Sequence, residues 1–317
     1  MNALPVIDVS PLAGGDAAAR RAVAADLGRA CREVGFFYAS GHGLPAALFE
    51  RAFGAARAFF ALPDEDKAAV AIERSPHNRG YVRLGGESLD PSKPADLKEA
   101  FNIGIDLAAD DPDVVAGVPF RGVNLWPVLP DFREATTAYF DAVLALGRRL
   151  HTAIALDLGV PENFFADKLD RPMATLRLLR YPPAPEKMAE GQRGAGTHTD
   201  YGNLTLLATD GTAGLEVQGR DGRWIDAPHI DGAFVCNIGD CLTRWTNDVY
   251  VSTPHRVRPP ARERLSIAFF LDPNPDAVVA ALPSCVGPDR PARYPPTTGA
   301  AYLAERLDAT YTFRRRA

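Results

Sequence analysis

The sequence predicts a mainly β fold with flanking helices, and two observations carry that prediction. Between residues 173 and 271 short strand patterns alternate with turn signals and no long helix intervenes, which points to an antiparallel jelly roll rather than a βαβ architecture. On either side of that block, apolar residues recur at three- and four-residue spacing, the period of helices packed through one face. At 317 residues and 46% hydrophobic content the chain can bury a sizeable core. Length alone allows one large β-barrel unit or two ordinary domains.

Taken in order, Leu4 to Asp8 reads as a short strand closed by Ser10-Pro11. A helix is expected over 17–34, with Val23, Leu27, Ala30 and Val34 on one stripe, until Gly35 stops it. Phe36 to Ala39 follows as a buried strand that ends in the turn Ser40 to Gly43, where His42 is read as a structural residue bonding backbone. A second helix over 45–61 has proline in its first turn and points Leu48, Phe49, Phe53, Phe59 and Phe60 inward as core. Asp64, Glu65 and Asp66 open a further helix, where acids suit the positive end of its dipole.

Residues 75–106 turn irregular and glycine-rich, and prolines and glycines break any period from 110 to 130. A long helix over 131–158 carries Phe140, Val143, Leu144, Leu150 and Ile154 on its apolar face, with His151 as an ordinary helix residue. The strand over 173–181 puts Arg177, Leu179 and Tyr181 on one face. Arg177, if that face is a cavity, awaits a substrate carboxylate or a neighbouring acid. Residues 183–196 have the composition of a mobile rim loop. Gly214 to Gln218 and Arg223 to Ile225 form a hairpin around Asp221-Gly222, and 233–238 and 265–271 supply further strands. A closing helix over 299–309 either leans across the barrel as a lid or simply packs.

The chemistry concentrates at Thr197-His198-Thr199-Asp200-Tyr201, heading a run that alternates polar and apolar to Leu207. On a regular strand an imidazole and a carboxylate two residues apart leave one face together. His255, 55 positions after Asp200, offers a third ligand after enough chain for several strands to return. Two imidazoles and a carboxylate on one face of an octahedral ion form the facial triad of non-haem Fe(II) oxygenases, which leaves positions open for oxygen chemistry. Nine residues past His255, Arg264 and Ser266 share a face by the same period. A guanidinium with a hydroxyl beside it suits the far carboxylate of 2-oxoglutarate.

With these residues in this order, the chain resembles the Fe(II)- and 2-oxoglutarate-dependent oxygenases of the isopenicillin N synthase type. The resemblance rests on Gly35-Phe36-Phe37-Tyr38, Gly41-His42-Gly43, Arg79-Gly80-Tyr81, Lys98 to Gly104, Tyr181-Pro182-Pro183, the His198 block, Asn237-Ile238-Gly239-Asp240, and Arg244 to Asp248. It implies a double-stranded β-helix core over 171–273, an N-terminal non-haem dioxygenase region over 4–118, a C-terminal helix, and one unit over 1–317. It further implies that Fe(II) sits on His198, Asp200 and His255, that Arg264, Ser266 and Tyr181 bind 2-oxoglutarate, and that O2 is consumed. Decarboxylation then yields succinate and CO2, and an unactivated C–H of a small molecule is oxidised, most simply by hydroxylation. Where plant members usually have Asn, this chain has Leu179, which removes one polar contact.

The same likeness makes residues 75–106 a cover over the site, with Tyr81, Arg83, Glu87 and Asn102 as candidate substrate contacts. Arg177, Tyr201 and Phe270 join them; Tyr201 does so only if the chain bends after Asp200. Rival readings are an oxidase of this fold that does not use 2-oxoglutarate, an ethylene-forming variant suggested by Arg177 and Tyr201, and a non-catalytic iron or metabolite sensor. A net charge of −5 argues against a nucleic-acid footprint, and the basic run Arg314-Arg315-Arg316 reads as a solvated tail. No apolar run is long enough to span a membrane. Cysteines at 31, 236, 241 and 285 form no Cys-x-x-Cys pair, which suggests a reduced, cytoplasmic setting.

Overall fold

A computed structural model of the protein describes residues 3–90 and 92–310, so Arg314-Arg315-Arg316 lies outside the described residues. The strands are β1 (Val6–Asp8), β2 (Phe36–Ser40), β3 (Gly80–Val82), β4 (Glu99–Ile103), β5 (Thr175–Tyr181), β6 (Ala195–His198) and β7 (Leu204–Thr209). They continue with β8 (Leu215–Gln218), β9 (Trp224–Asp226), β10 (Phe234–Ile238), β11 (His255–Val257), β12 (Arg264–Leu271), β13 (Val278–Val279) and β14 (Thr297–Thr298). An eight-stranded sheet runs β1-β2-β10-β7-β12-β5-β4-β3, a four-stranded sheet runs β6-β11-β8-β9, and β13 pairs with β14.

Period two divides the larger sheet into two kinds of surface. Phe37, Phe101, Leu178, Leu206, Cys236, Ile267 and Phe269 point one way, into the cluster formed with helices Ala46–Phe60 and Phe132–Asp157. There Phe59 lies 4.5 Å from Phe101 and Phe140 lies 5.1 Å from Phe269, ring centre to ring centre. The opposite face carries Val82, Ala100, Leu179, Tyr181, Val235 and Ala268, which meet Ala195, Leu215, Val217 and Val257 of the smaller sheet. The two sheets of the jelly roll thus share one layer, and helices Ala46–Phe60 and Phe132–Asp157 cover the outer face of the larger sheet.

The N-terminal helix Ala17–Glu33 starts where Asp16 Oδ1 accepts from the backbone N–H groups of Ala18 and Ala19. It ends beside Gly35, whose φ of +72° and close approach to the Val251 carbonyl exclude a side chain. That helix reverses the chain between β1 and β2, so the two pair in parallel, the exception in an otherwise antiparallel sheet. The closing helix spans Gly299–Thr310.

His151 is buried in the long helix, its Nδ1 2.8 Å from the Gly147 carbonyl oxygen and its Nε2 3.4 Å from Asn203 Nδ2. Burial lowers its pKa to about 4 despite the Gly147 contact. The unfolded chain therefore binds a proton that the folded chain refuses between about pH 6.5 and 4. Stability from this residue is complete above about pH 6.5 and declines as pH falls through that window. In urea titrations at about pH 7 and about pH 5, His151→Leu should show a smaller loss of stability on acidification than wild type does.

Candidate active site

The strand expected to run unbroken from His198 to Leu207 is interrupted. β6 ends at His198 and β7 starts at Leu204, with a bend between them. The Asp200 carbonyl accepts from Asp240 N (2.7 Å) and the Tyr201 carbonyl from Cys241 N (3.0 Å), so the bend is clamped onto the first turn of helix Asp240–Trp245. His198 and Asp200 therefore meet through this clamp and not through the strand period. The same bend brings Tyr201 to the cavity wall.

His255 reaches the site from β11, directly opposite His198 in the antiparallel pairing with β6. His198 Nδ1 lies 2.7 Å from the Gly196 carbonyl oxygen and His255 Nδ1 lies 3.1 Å from that of Thr253. With each Nδ1 occupied by a backbone carbonyl, each Nε2 is left turned toward Asp200 Oδ1, at 3.7 Å and 3.6 Å. Asp200 Oδ2 faces the other way and accepts from Thr205 Oγ1 (2.5 Å) and Asn237 Nδ2 (2.7 Å). Burial opposes ionisation of Asp200, but the two imidazoles, Asn237 and Thr205 outweigh it and hold the carboxyl below its ordinary range. Burial and the neighbouring His255 keep His198 neutral. Three ligand atoms within 4.8 Å of one another, two on neutral imidazoles and one on a carboxylate, fit a divalent iron that keeps open positions.

Beside this triad, Arg264 pairs with Tyr181 and Ser266 with Leu179 across β12 and β5. Arg264 is buried, with Nη1 3.3 Å from Ser266 Oγ, Nε donating to the Thr212 carbonyl (3.2 Å), and the guanidinium 4.9 Å above the centre of the Tyr181 ring. No carboxylate lies within ion-pair distance of it among the described residues. Leu179 adds only apolar wall to this part of the cavity, which encloses about 150 Å³.

At the other end, Glu87, Asn102, Arg177, Tyr201 and Phe270 all line the cavity, and two expected contacts do not. Tyr81 faces the helix side of the sheet because it is register partner to Phe101, and its hydroxyl donates to Glu99 Oε2 (2.5 Å). Arg83 is exposed on the loop after β3 and is absent from the cavity wall. Arg177 is gripped by both carboxylate oxygens of Glu87, at 3.2 Å and 2.8 Å, so the neighbouring acid is its partner.

Sequence reasoning missed Lys98, Asp96, Thr205 and Asp272. Lys98 Nζ lies 3.0 Å from Glu87 Oε2 and 2.9 Å from Asp96 Oδ2, and Asp96 Oδ1 accepts from Gly196 N (2.8 Å). Burial works against the Lys98 ammonium, yet the two acids outweigh it and raise its pKa. Burial and the charge of Asp200 push Asp272 up to about 7, against the pull of Arg79. The period-two step from Phe270 would have found Asp272; nothing local marks Lys98 as a cavity residue. Leu303 and Leu307 of the closing helix complete the wall, so that helix covers the cavity.

This arrangement defines a metal-centre oxygenase of jelly-roll fold, and comparison with known proteins places it further. Residues 4–128 match the family described as non-haem dioxygenase in morphine synthesis, N-terminal, and residues 172–273 match the 2OG-Fe(II) oxygenase superfamily. A 2-oxoglutarate-Fe(II) type oxidoreductase, hxnY, of Emericella nidulans is 40% identical over 304 residues, covering 94% of this chain and 87% of the relative. A full-length Neurospora crassa protein, crystallised in complex with alpha-KG and thymine, superposes with a TM-score of 0.86 at 33% identity over 96% of each chain. A putative 2OG-Fe(II) oxygenase family protein from Caulobacter crescentus gives 0.85 at 33% identity over 98% of this chain and 99% of that one. The chain belongs to the 2-oxoglutarate- and Fe(II)-dependent oxygenases. It is an enzyme that uses Fe(II), 2-oxoglutarate and O2.

Removing a group that orients a ligand typically costs about 10- to 100-fold in metal affinity. Asn237→Ala frees Asp200 Oδ2 without touching a ligand atom. An anaerobic Fe(II) titration should show affinity reduced by about that factor.

Proposed function

We propose that His198, Asp200 and His255 hold the iron, that Arg264, Ser266 and Tyr181 hold the distal carboxylate of 2-oxoglutarate, and that a small molecule is hydroxylated beside Asn102, Tyr201 and Phe270. One observation carries the co-substrate assignment. Arg264 is a buried cation with no acidic partner among the described residues, and a buried charge left uncompensated is strongly destabilising. A carboxylate arriving there completes the ion pair, and the Ser266 hydroxyl beside it supplies a second donor.

When bound, the iron supplies the activation of O2 and of the substrate C–H bond, coupled to decarboxylation of 2-oxoglutarate to succinate and CO2. The chain's own residues position and enclose. The carbonyls of Gly196 and Thr253 fix both imidazoles in the tautomer that presents Nε2. Thr205 and Asn237 restrict Asp200 to one free oxygen. Phe36 sets its ring edge-on to His255 at 5.2 Å, and Leu89, Leu303 and Leu307 add apolar wall to the cavity.

Thymine is the ligand of the Neurospora crassa relative, and a substrate of comparable size suits a cavity of this volume. The ethylene-forming reading leaned on Arg177, and its grip on Glu87 removes that support. The remaining partner and location assignments are a small-molecule substrate, no nucleic acid and no membrane surface, in the cytoplasm. No helix among the described residues is long and apolar enough to cross a membrane, and all four cysteines are free and buried, which supports a reducing setting.

Anaerobic addition of 2-oxoglutarate to the Fe(II) protein should produce the weak visible charge-transfer band of a chelated keto acid. In Arg264→Ala the concentration needed to reach half of that band should rise at least about tenfold, as expected for truncating one partner of a buried charge pair. No band in either protein, with iron shown to be bound, would move the oxidase that does not use 2-oxoglutarate to first place.

A further inference from the structure

We infer that the substrate end of the cavity is built to read a neutral, planar cyclic amide, with Asn102 as the residue that recognises its paired N–H and C=O. This inference rests on the oxygenase reading above and deepens it. Asn102 sits in the middle of β4, paired with Gly80 on one side and Arg177 on the other, and it lines the cavity. It is fully buried, and neither its Oδ1 nor its Nδ2 has a hydrogen-bond partner among the described residues. A buried amide left unmade in both its functions is costly, so its pairing is supplied from the cavity.

Other buried asparagines in this chain are engaged. Asn124 bonds both the N–H and the carbonyl of Gly104, Asn237 donates to Asp200, and Asn247 bonds the Cys285 and Pro291 carbonyls and Arg293 N. Asn203 leaves its Oδ1 unpaired but is not part of the cavity wall. Asn102 alone among the cavity asparagines, Asn78 and Asn237 being the others, is fully buried with both amide atoms open.

Charge narrows the ligand further. The Arg177 and Lys98 cations face the Glu87 and Asp96 carboxylates in one buried cluster, so the wall beside Asn102 is balanced without a ligand charge. Shape comes from Phe270, on the same face of β12 as Ala268, which pairs with Arg177 opposite Asn102. Its ring offers a flat apolar wall, and Leu303 and Leu307 lie across the cavity mouth. A primary amide presents a donor and an acceptor side by side in one plane. The cis N–H and C=O of a lactam ring match that pair with two parallel hydrogen bonds. A carboxylate lacks the donor, and an N-alkylated lactam lacks it too.

The test is calorimetric titration of the full chain, Fe(II)- and 2-oxoglutarate-loaded under anaerobic conditions, with 2-pyridone, N-methyl-2-pyridone and benzoate. Wild type should bind 2-pyridone at least about tenfold more tightly than either of the others, because a site built to hydrogen-bond a group rejects the analogue that lacks it. Asn102→Ala should lose that preference, and Asn102→Leu, close in volume but with neither donor nor acceptor, should lose it as well. Equal binding of the N-methylated lactam to wild type, tighter binding of benzoate, no binding of 2-pyridone, or a preference that survives in both variants would overturn the inference. The charge-transfer band recorded on the same samples separates the two failures. A normal band with no lactam preference refutes the substrate class alone, whereas a missing band in wild type refutes the co-substrate reading while metal-free protein still reports on Asn102.

Discussion

The structure depends on the strict two-residue alternation of its larger sheet. Each strand in the middle of that sheet must satisfy two surroundings at once, a layer of helices on one side and a ligand cavity on the other. Phe101 and Asn102 show the constraint at a single step of chain: the phenylalanine packs 4.5 Å from Phe59, and the asparagine lines the cavity. The same step separates Leu265 from Arg264 and Ser266, and Phe269 from Phe270. A slip of one residue in β12 would place hydrophobic core in the cavity and a buried guanidinium under the helices. Register is therefore fixed by the cost of exchanging the faces.

Polar order inside the cavity comes from a chain of pairings. Arg177 on β5 holds Glu87, Glu87 and Asp96 hold Lys98, Asp96 accepts from Gly196 N, and the Gly196 carbonyl meets His198 Nδ1. The loop between β3 and β4 is thereby joined to the strand that carries the first imidazole. At the opposite edge of the site, Asp240 receives Thr199 Oγ1 (3.1 Å) and Arg306 Nη2 (2.8 Å). The Arg306 guanidinium also stands 4.8 Å from the centre of the Tyr201 ring, which ties the closing helix to the bend that bears Asp200. The loop between β3 and β4 and the bend bearing Asp200 share the same supports, so the cavity walls and the three candidate ligand positions are set together.

Much of this is legible in the chain because the chemistry depends on residue identity and short spacing. The His-x-Asp and distant His, the Arg-x-Ser pair, the Asp-Gly hairpin and the stop at Gly35 are local signals, and each corresponds to an element or a donor set in the fold. The helices are legible too, since the phenylalanine stripe of residues 45–61 faces one side at helical period. What period two cannot say is which face becomes cavity. Tyr81, expected at the substrate, instead packs beside Phe101, while Asn102, one residue beyond Phe101, is at the wall.

The sequence by itself determined which groups are available and the architecture: two imidazoles, a carboxylate, a guanidinium beside a hydroxyl, and strands of alternating character between amphipathic helices. Only the tertiary structure decided how those groups meet. His198 and Asp200 converge because Asp240 N pins the chain into a bend that no strand pattern contains. Arg177 finds Glu87 across 90 positions, and Lys98 becomes a cavity residue through acids on a neighbouring loop. The physical reason is common to all three. Local pattern fixes the direction a side chain leaves its own strand, but the partner that waits there is set by packing between segments far apart in the chain.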